Sequence, residues 1–83
     1  MNADIARLTW RCRRGMRELD AVLRSFVDSG LATLDDNDLG RFERILELPD
    51  PELLAYLTGR SVPVDLDIAR LIERVRASHR PQA

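Results

Sequence analysis

Lysine is absent: all thirteen basic residues of this 83-residue chain are arginine. There is one cysteine, Cys12, one histidine, His79, and aromatic residues make up only 5%. A lone cysteine excludes an internal disulfide and suits a reducing compartment. One Cys and one His form no cluster with metal-ligand spacing, no glycine-rich loop offers a phosphate cradle, and no Ser/His/Asp set assembles. His79 lies near the carboxyl terminus with no acid fixed beside it. No apolar run approaches the roughly 20 residues that a bilayer span requires, and no signal-like apolar stretch follows Met1. The expectation is a cytosolic chain that inserts in no membrane, holds no metal and has no catalytic set of its own.

Thirteen arginines against fourteen acids leave a net charge of −1, so bulk electrostatics drives the chain toward no polyanion. Residues 1–25 carry six Arg and three acids, residues 26–53 eight acids and two Arg, and residues 54–83 five Arg and three acids. A basic front and an acidic middle can orient the molecule against a partner of patterned charge. The plainer reading is that these are solvated helix faces. Acids within the arginine-rich patch, and no aromatic interleaving beyond Trp10, argue against nucleic acid.

With 45% apolar and 33% charged residues, the chain has the balance of a globular domain, and its length allows one modest core. Helical spacing and punctuation predict five helices, near residues 4–14, 16–29, 35–48, 51–58 and 65–78. Asp4, Asp35 and Asp65 are expected N-caps. Asp50-Pro51 reads as an N-cap followed by proline at the first helical position. Gly30 is expected to close the second helix in a left-handed conformation, and Gly59 to end the fourth. No stretch alternates with period two, so the fold class is all-α, a compact five-helix small domain over residues 1–83 with residues 79–83 frayed. Cys12 shares the stripe of Ile5 and Leu8 and is expected to be buried and inert. Trp10 lies off that stripe, so something else must cover it.

The densest feature is Arg11-Cys12-Arg13-Arg14-Gly15-Met16-Arg17-Glu18-Leu19-Asp20. On a helix taken as continuous through Gly15, at about 100° per residue, Arg11, Arg14, Gly15 and Glu18 share one face away from the core. Arg13, Arg17 and Arg24 fall on a solvated side, which makes Arg24 the expected silent comparison. A bare glycine beside an Arg and a Glu lets a partner's backbone approach while the charges fix register. Equally, Gly15 can simply end the first helix. Arg14 and Glu18 are then an exposed i,i+4 pair worth about 0.3–0.5 kcal/mol to the monomer.

Trp10 followed by Cys12-Arg13-Arg14-Gly15-Met16-Arg17-Glu18-Leu19-Asp20 closely resembles the signature of the SdhE family, the small flavinylation factors with an Arg-Gly-x-x-Glu motif. Phe26, Phe42, Leu46, Asp50-Pro51-x-Leu53, Tyr56-Leu57 and Pro63 follow the family's order, so the resemblance covers roughly residues 8–75. Tyr56 stands where an indole is common. The resemblance implies a five-helix monomer of the bacterial cytoplasm. Its partner is the flavoprotein subunit of succinate dehydrogenase or fumarate reductase, to which it promotes covalent attachment of FAD. Arg14, Gly15 and Glu18 become the functional motif, with Trp10, Arg11, Met16 and Arg17 as interface neighbours. FAD belongs to the client, and no tightly bound cofactor is expected here. Relatives described as antitoxin-like suggest another class, an interaction module for a small membrane toxin or a cytoskeletal partner.

Overall fold

The computed structural model describes residues 3–79, with side chains from Ile5 onward. Asp4, the expected cap, falls within the first helix rather than before it, and its side chain, like the tail beyond His79, lies outside the described residues. Among the described residues, five α-helices run in order: α1 Ala3–Arg11, α2 Arg17–Ser29, α3 Asp36–Leu46, α4 Asp50–Leu57 and α5 Leu66–Ser78. A 3-10 turn, Leu31–Thr33, joins α2 to α3. No strand occurs among the described residues.

The apolar faces anticipated from spacing meet around α5, against which α2, α3 and α4 all pack. Leu19, Leu23 and Phe26 of α2 face Leu71, Ile72 and Val75 of α5 within one continuous core, which α3 joins through Phe42, Ile45 and Leu46. The Phe26 and Phe42 rings lie 5.4 Å apart at a 46° tilt, a favourable off-parallel aromatic pairing. Short helices of this length are marginal alone, so this shared burial holds them in place. Leu8 of α1 is buried in the same core, and Arg7 donates to Glu43 at 2.7 Å, pinning α1 to α3. That bond holds the Glu43 carboxyl below its usual range.

The caps divide into two kinds. Asp35 accepts from the Asp38 amide, and Asp65 accepts from the amides of Asp67 and Ile68, as their positions suggested. Asp50 does not cap α4. Pro49, which has no side-chain acceptor, occupies that position, and the Asp50 carboxylate is turned toward Arg14. Gly59 ends α4 with φ +81°, and the Arg60 amide reaches back to the Ala55 carbonyl in a Schellman closure.

Gly30 departs from its expected conformation. Its φ is −136°, which any residue adopts, so a left-handed backbone is not the reason for glycine here. The reason is Phe26: a Cβ at Gly30 would sit 2.7 Å from Phe26 Cε1, a ring that is itself locked in the core. Gly30→Ala is therefore expected to destabilise by overpacking, by about 1–3 kcal/mol in chemical denaturation. Combining it with Phe26→Leu should shrink that increment, because the clash is with the ring.

Cys12 is buried as expected, and burial pushes its thiol up to about 11, against the partial opposition of Arg14. The folded state thus keeps the proton that the unfolded chain gives up near pH 9. Stability contributed in this way is intact below pH 9 and is lost as pH rises from 9 toward 11, by about 2–3 kcal/mol in all. With no lysine titrating in this window, the slope should be clear in denaturant melts across it and should flatten in Cys12→Ala.

Candidate functional site

The chain leaves α1 through a tightening turn, in which the Cys12 and Arg13 amides bond to the Thr9 and Trp10 carbonyls. It does not continue as a helix through Gly15. Gly15 has φ +83° and Met16 is extended, so α2 begins afresh at Arg17. The expected single face of Arg11, Arg14, Gly15 and Glu18, built on a continuous helix, is therefore replaced by a five-residue loop.

Arg14 is the largest correction. Its side chain is only 15% exposed and makes no i,i+4 pair with Glu18. Nε donates to Asp50 Oδ1 at 2.8 Å, Nη1 to the Leu46 carbonyl at 2.6 Å and Nη2 to the Leu48 carbonyl at 2.8 Å. The guanidinium is a planar fork of five donors, and three are committed to the α3–α4 junction. The carbonyls it reaches belong to the unwinding end of α3, where helical partners run out. The loop's backbone is gripped from its other side. The Arg14 amide donates to Asp20 Oδ1 at 2.7 Å and the Gly15 amide to Asp20 Oδ2 at 3.2 Å.

Above these anchors the loop is open. A Cβ at Gly15 would meet nothing within 4 Å. Arg17 and Glu18, in the first turn of α2, are exposed, and Arg11 and Met16 are half-buried, with Met16 resting on the core. On one flank, Trp10 is 70% exposed, with the Arg13 guanidinium 5.4 Å from its ring centroid. Most of the Trp10 ring is thus left uncovered among the described residues. Thr9, Trp10, Arg13, Asp20, Arg24 and Asp28 line a groove between α1 and α2. Arg24 thus shares a groove with Trp10 and does not sit on a featureless face, so Arg70 of α5 is the better silent comparison. On the other flank, Arg17 and Glu18 rim a second groove floored by Val22, Leu54 and Leu57.

Sequence reasoning brought Trp10, Arg11, Arg14, Gly15, Met16, Arg17 and Glu18 together through chain proximity, and they do share one loop and its two shoulders. It missed Asp20 and Asp50 as loop anchors. Asp20 lay within the quoted motif, but contacts 32 to 36 residues away in the chain, such as those of Arg14, leave no spacing signal. Elsewhere, His79 Nδ1 lies 2.9 Å from Ser25 Oγ, a contact between the end of α5 and α2. No group of three or more His, Cys, Asp and Glu is placed to hold a metal ion among the described residues. No described helix is long and apolar enough to cross a membrane.

The five-helix scaffold thus presents a glycine-opened loop between an exposed indole and the exposed side chains of Arg17 and Glu18. The family described as flavinator of succinate dehydrogenase matches residues 6–79, and the chain belongs to that family, one of assembly factors. The FAD assembly factor SdhE of Shewanella oneidensis is 45% identical over 78 residues, covering 94% of this chain and 95% of the relative. SdhE of Methylococcus capsulatus is 44% identical over 71 residues, 86% of each chain. SdhE of Legionella pneumophila strain Lens is 37% identical over 75 residues, covering 90% and 94%.

Proposed function

We propose that this protein is an FAD assembly factor that docks on the flavoprotein subunit of succinate dehydrogenase and promotes covalent attachment of FAD to it. The observation that carries this reading is the loop at Gly15, held rigid from below and open above, in a chain of this family. Gly15, Arg17 and Glu18 present the recognition surface, with Trp10, Arg11 and Met16 at its edge. Arg14 serves the same surface by fixing the loop. The client performs the flavin chemistry. The factor binds one conformation of the client more tightly and so raises its population, an effect limited to the difference in affinity between the two states. About 2.7 kcal/mol of such preference moves the equilibrium roughly a hundredfold.

The same surface would serve a fumarate reductase flavoprotein subunit, which shares the need for covalent FAD. The protein acts as a monomer in the bacterial cytoplasm and carries no tightly bound flavin. Affinity purification of the tagged protein from cells is expected to recover a flavoprotein of far larger mass, while the protein alone emerges colourless from gel filtration. A yellow chromophore retained at one equivalent would overturn the cofactor statement. Recovery of a small membrane protein without the flavoprotein would overturn the client and favour an antitoxin-like role.

A further inference from the structure

Two carboxylates are diverted from their own helices to the Gly15 loop. Asp20 lies in the first turn of α2, and Asp50 in the first turn of α4, positions where acids ordinarily serve the helix that carries them. Neither caps its helix, and both α2 and α4 begin without a side-chain cap. Asp35 and Asp65, by contrast, cap α3 and α5 in the ordinary way. Asp20 instead takes the two successive amides of Arg14 and Gly15, and Asp50 takes the Arg14 guanidinium. The first grip sets the direction of the peptide entering Gly15, which has φ +83° and open space where a Cβ would stand. The second ties the same residue to the α3–α4 junction. Together they hold a loop that would otherwise sample many backbone states, each of which would have to be given up on docking.

We infer that Asp20 and Asp50 are positioning residues for client recognition, pre-forming the Arg14–Gly15 backbone without touching the client. This rests on the docking function proposed above. Disordering the loop should weaken binding even in a domain that remains folded, because the client must then select a minor loop state.

The test compares the parent, Asp20→Asn, Asp20→Ala, Asp50→Ala and Asp38→Ala. Asp38 belongs to an ion-pair network between α3 and α5, away from the loop, so its variant reports general loss of stability. Amide exchange at Arg14 and Gly15 is read by NMR, and affinity is read by titration with purified succinate dehydrogenase flavoprotein subunit, both well below the melting temperature. Asp20→Ala is expected to speed exchange at both amides and weaken binding roughly tenfold, the scale of one lost charge-assisted hydrogen bond. Asp20→Asn, which keeps one oxygen acceptor, should fall between, and it carries the comparison if Asp20→Ala fails to fold. Asp50→Ala should weaken binding in the same sense, and Asp38→Ala should bind like the parent. Parental affinity in Asp20→Ala despite fast exchange would overturn the positioning role alone, as would equal weakening in Asp38→Ala. A parent that does not bind the flavoprotein would overturn the functional reading beneath it.

Discussion

Arg14→Ala is expected to destabilise the isolated domain by about 2–4 kcal/mol, a fall of about 10 °C or more in Tm for a chain of this size. The truncation removes three hydrogen bonds at once and leaves the Leu46 and Leu48 carbonyls and the Asp50 carboxylate without their partner. Were Arg14 an exposed partner of Glu18, the same change would cost about 0.5 kcal/mol or less. Thermal melts separate the two by a wide margin. Arg14→Lys should recover only part of the loss, because an ammonium cannot serve two carbonyls and a carboxylate from one planar fork. Glu18→Ala, on an exposed side chain, should melt like the parent. Client binding by Arg14→Ala must therefore be read with the folded fraction known, while Arg70→Ala should be silent in both measurements.

Gly15→Arg should abolish client binding while leaving most of the domain's stability in place. Any L-residue at φ +83° incurs backbone strain of about 1 kcal/mol, so Gly15→Ala and Gly15→Arg should melt slightly below the parent and close to each other. Nothing within 4 Å of the new Cβ adds a clash in the monomer. The arginine side chain instead projects over the open face between Trp10 and Glu18, where a partner's backbone would approach. Alanine should thus bind measurably and arginine should not. A matched loss of binding in the two variants would mean that loop conformation alone, and not the open space above it, governs docking. If Gly15→Arg bound like the parent, the recognition face would lie elsewhere.

The helices were legible because each carries its apolar residues at i, i+3 and i+4 and is bounded by chemistry that acts locally. Asp35, Asp65 and Gly59 behave as their neighbours dictate, so reading along the chain suffices for them. Reading along the chain failed where a distant group outbids a local one. Asp50 has the sequence context of a cap, yet a guanidinium 36 residues away offers it a charge-assisted bond. Gly30 stands where a left-handed terminator is common, but a ring one turn back is what excludes a side chain. At Gly15 the sequence offered two alternatives, a helix terminator or an opened face; the structure ends α1 earlier, at Arg11, and the positive φ of Gly15 shapes the loop into α2 with open space above it. The motif residues were found through their order in the chain. Their division of labour, with Arg14 holding the loop and Gly15, Arg17 and Glu18 exposed, required the fold.

The most direct measurement is in-gel flavin fluorescence of the succinate dehydrogenase flavoprotein subunit in cells with this gene, without it, and with Gly15→Arg in its place, at matched client abundance. Covalently bound flavin survives denaturation and reports attachment itself. The account expects a strong band with the parent, a faint or absent one without the gene, and no restoration by Gly15→Arg although that variant accumulates as a folded protein. Equal fluorescence with and without the gene, or full restoration by Gly15→Arg, would contradict it.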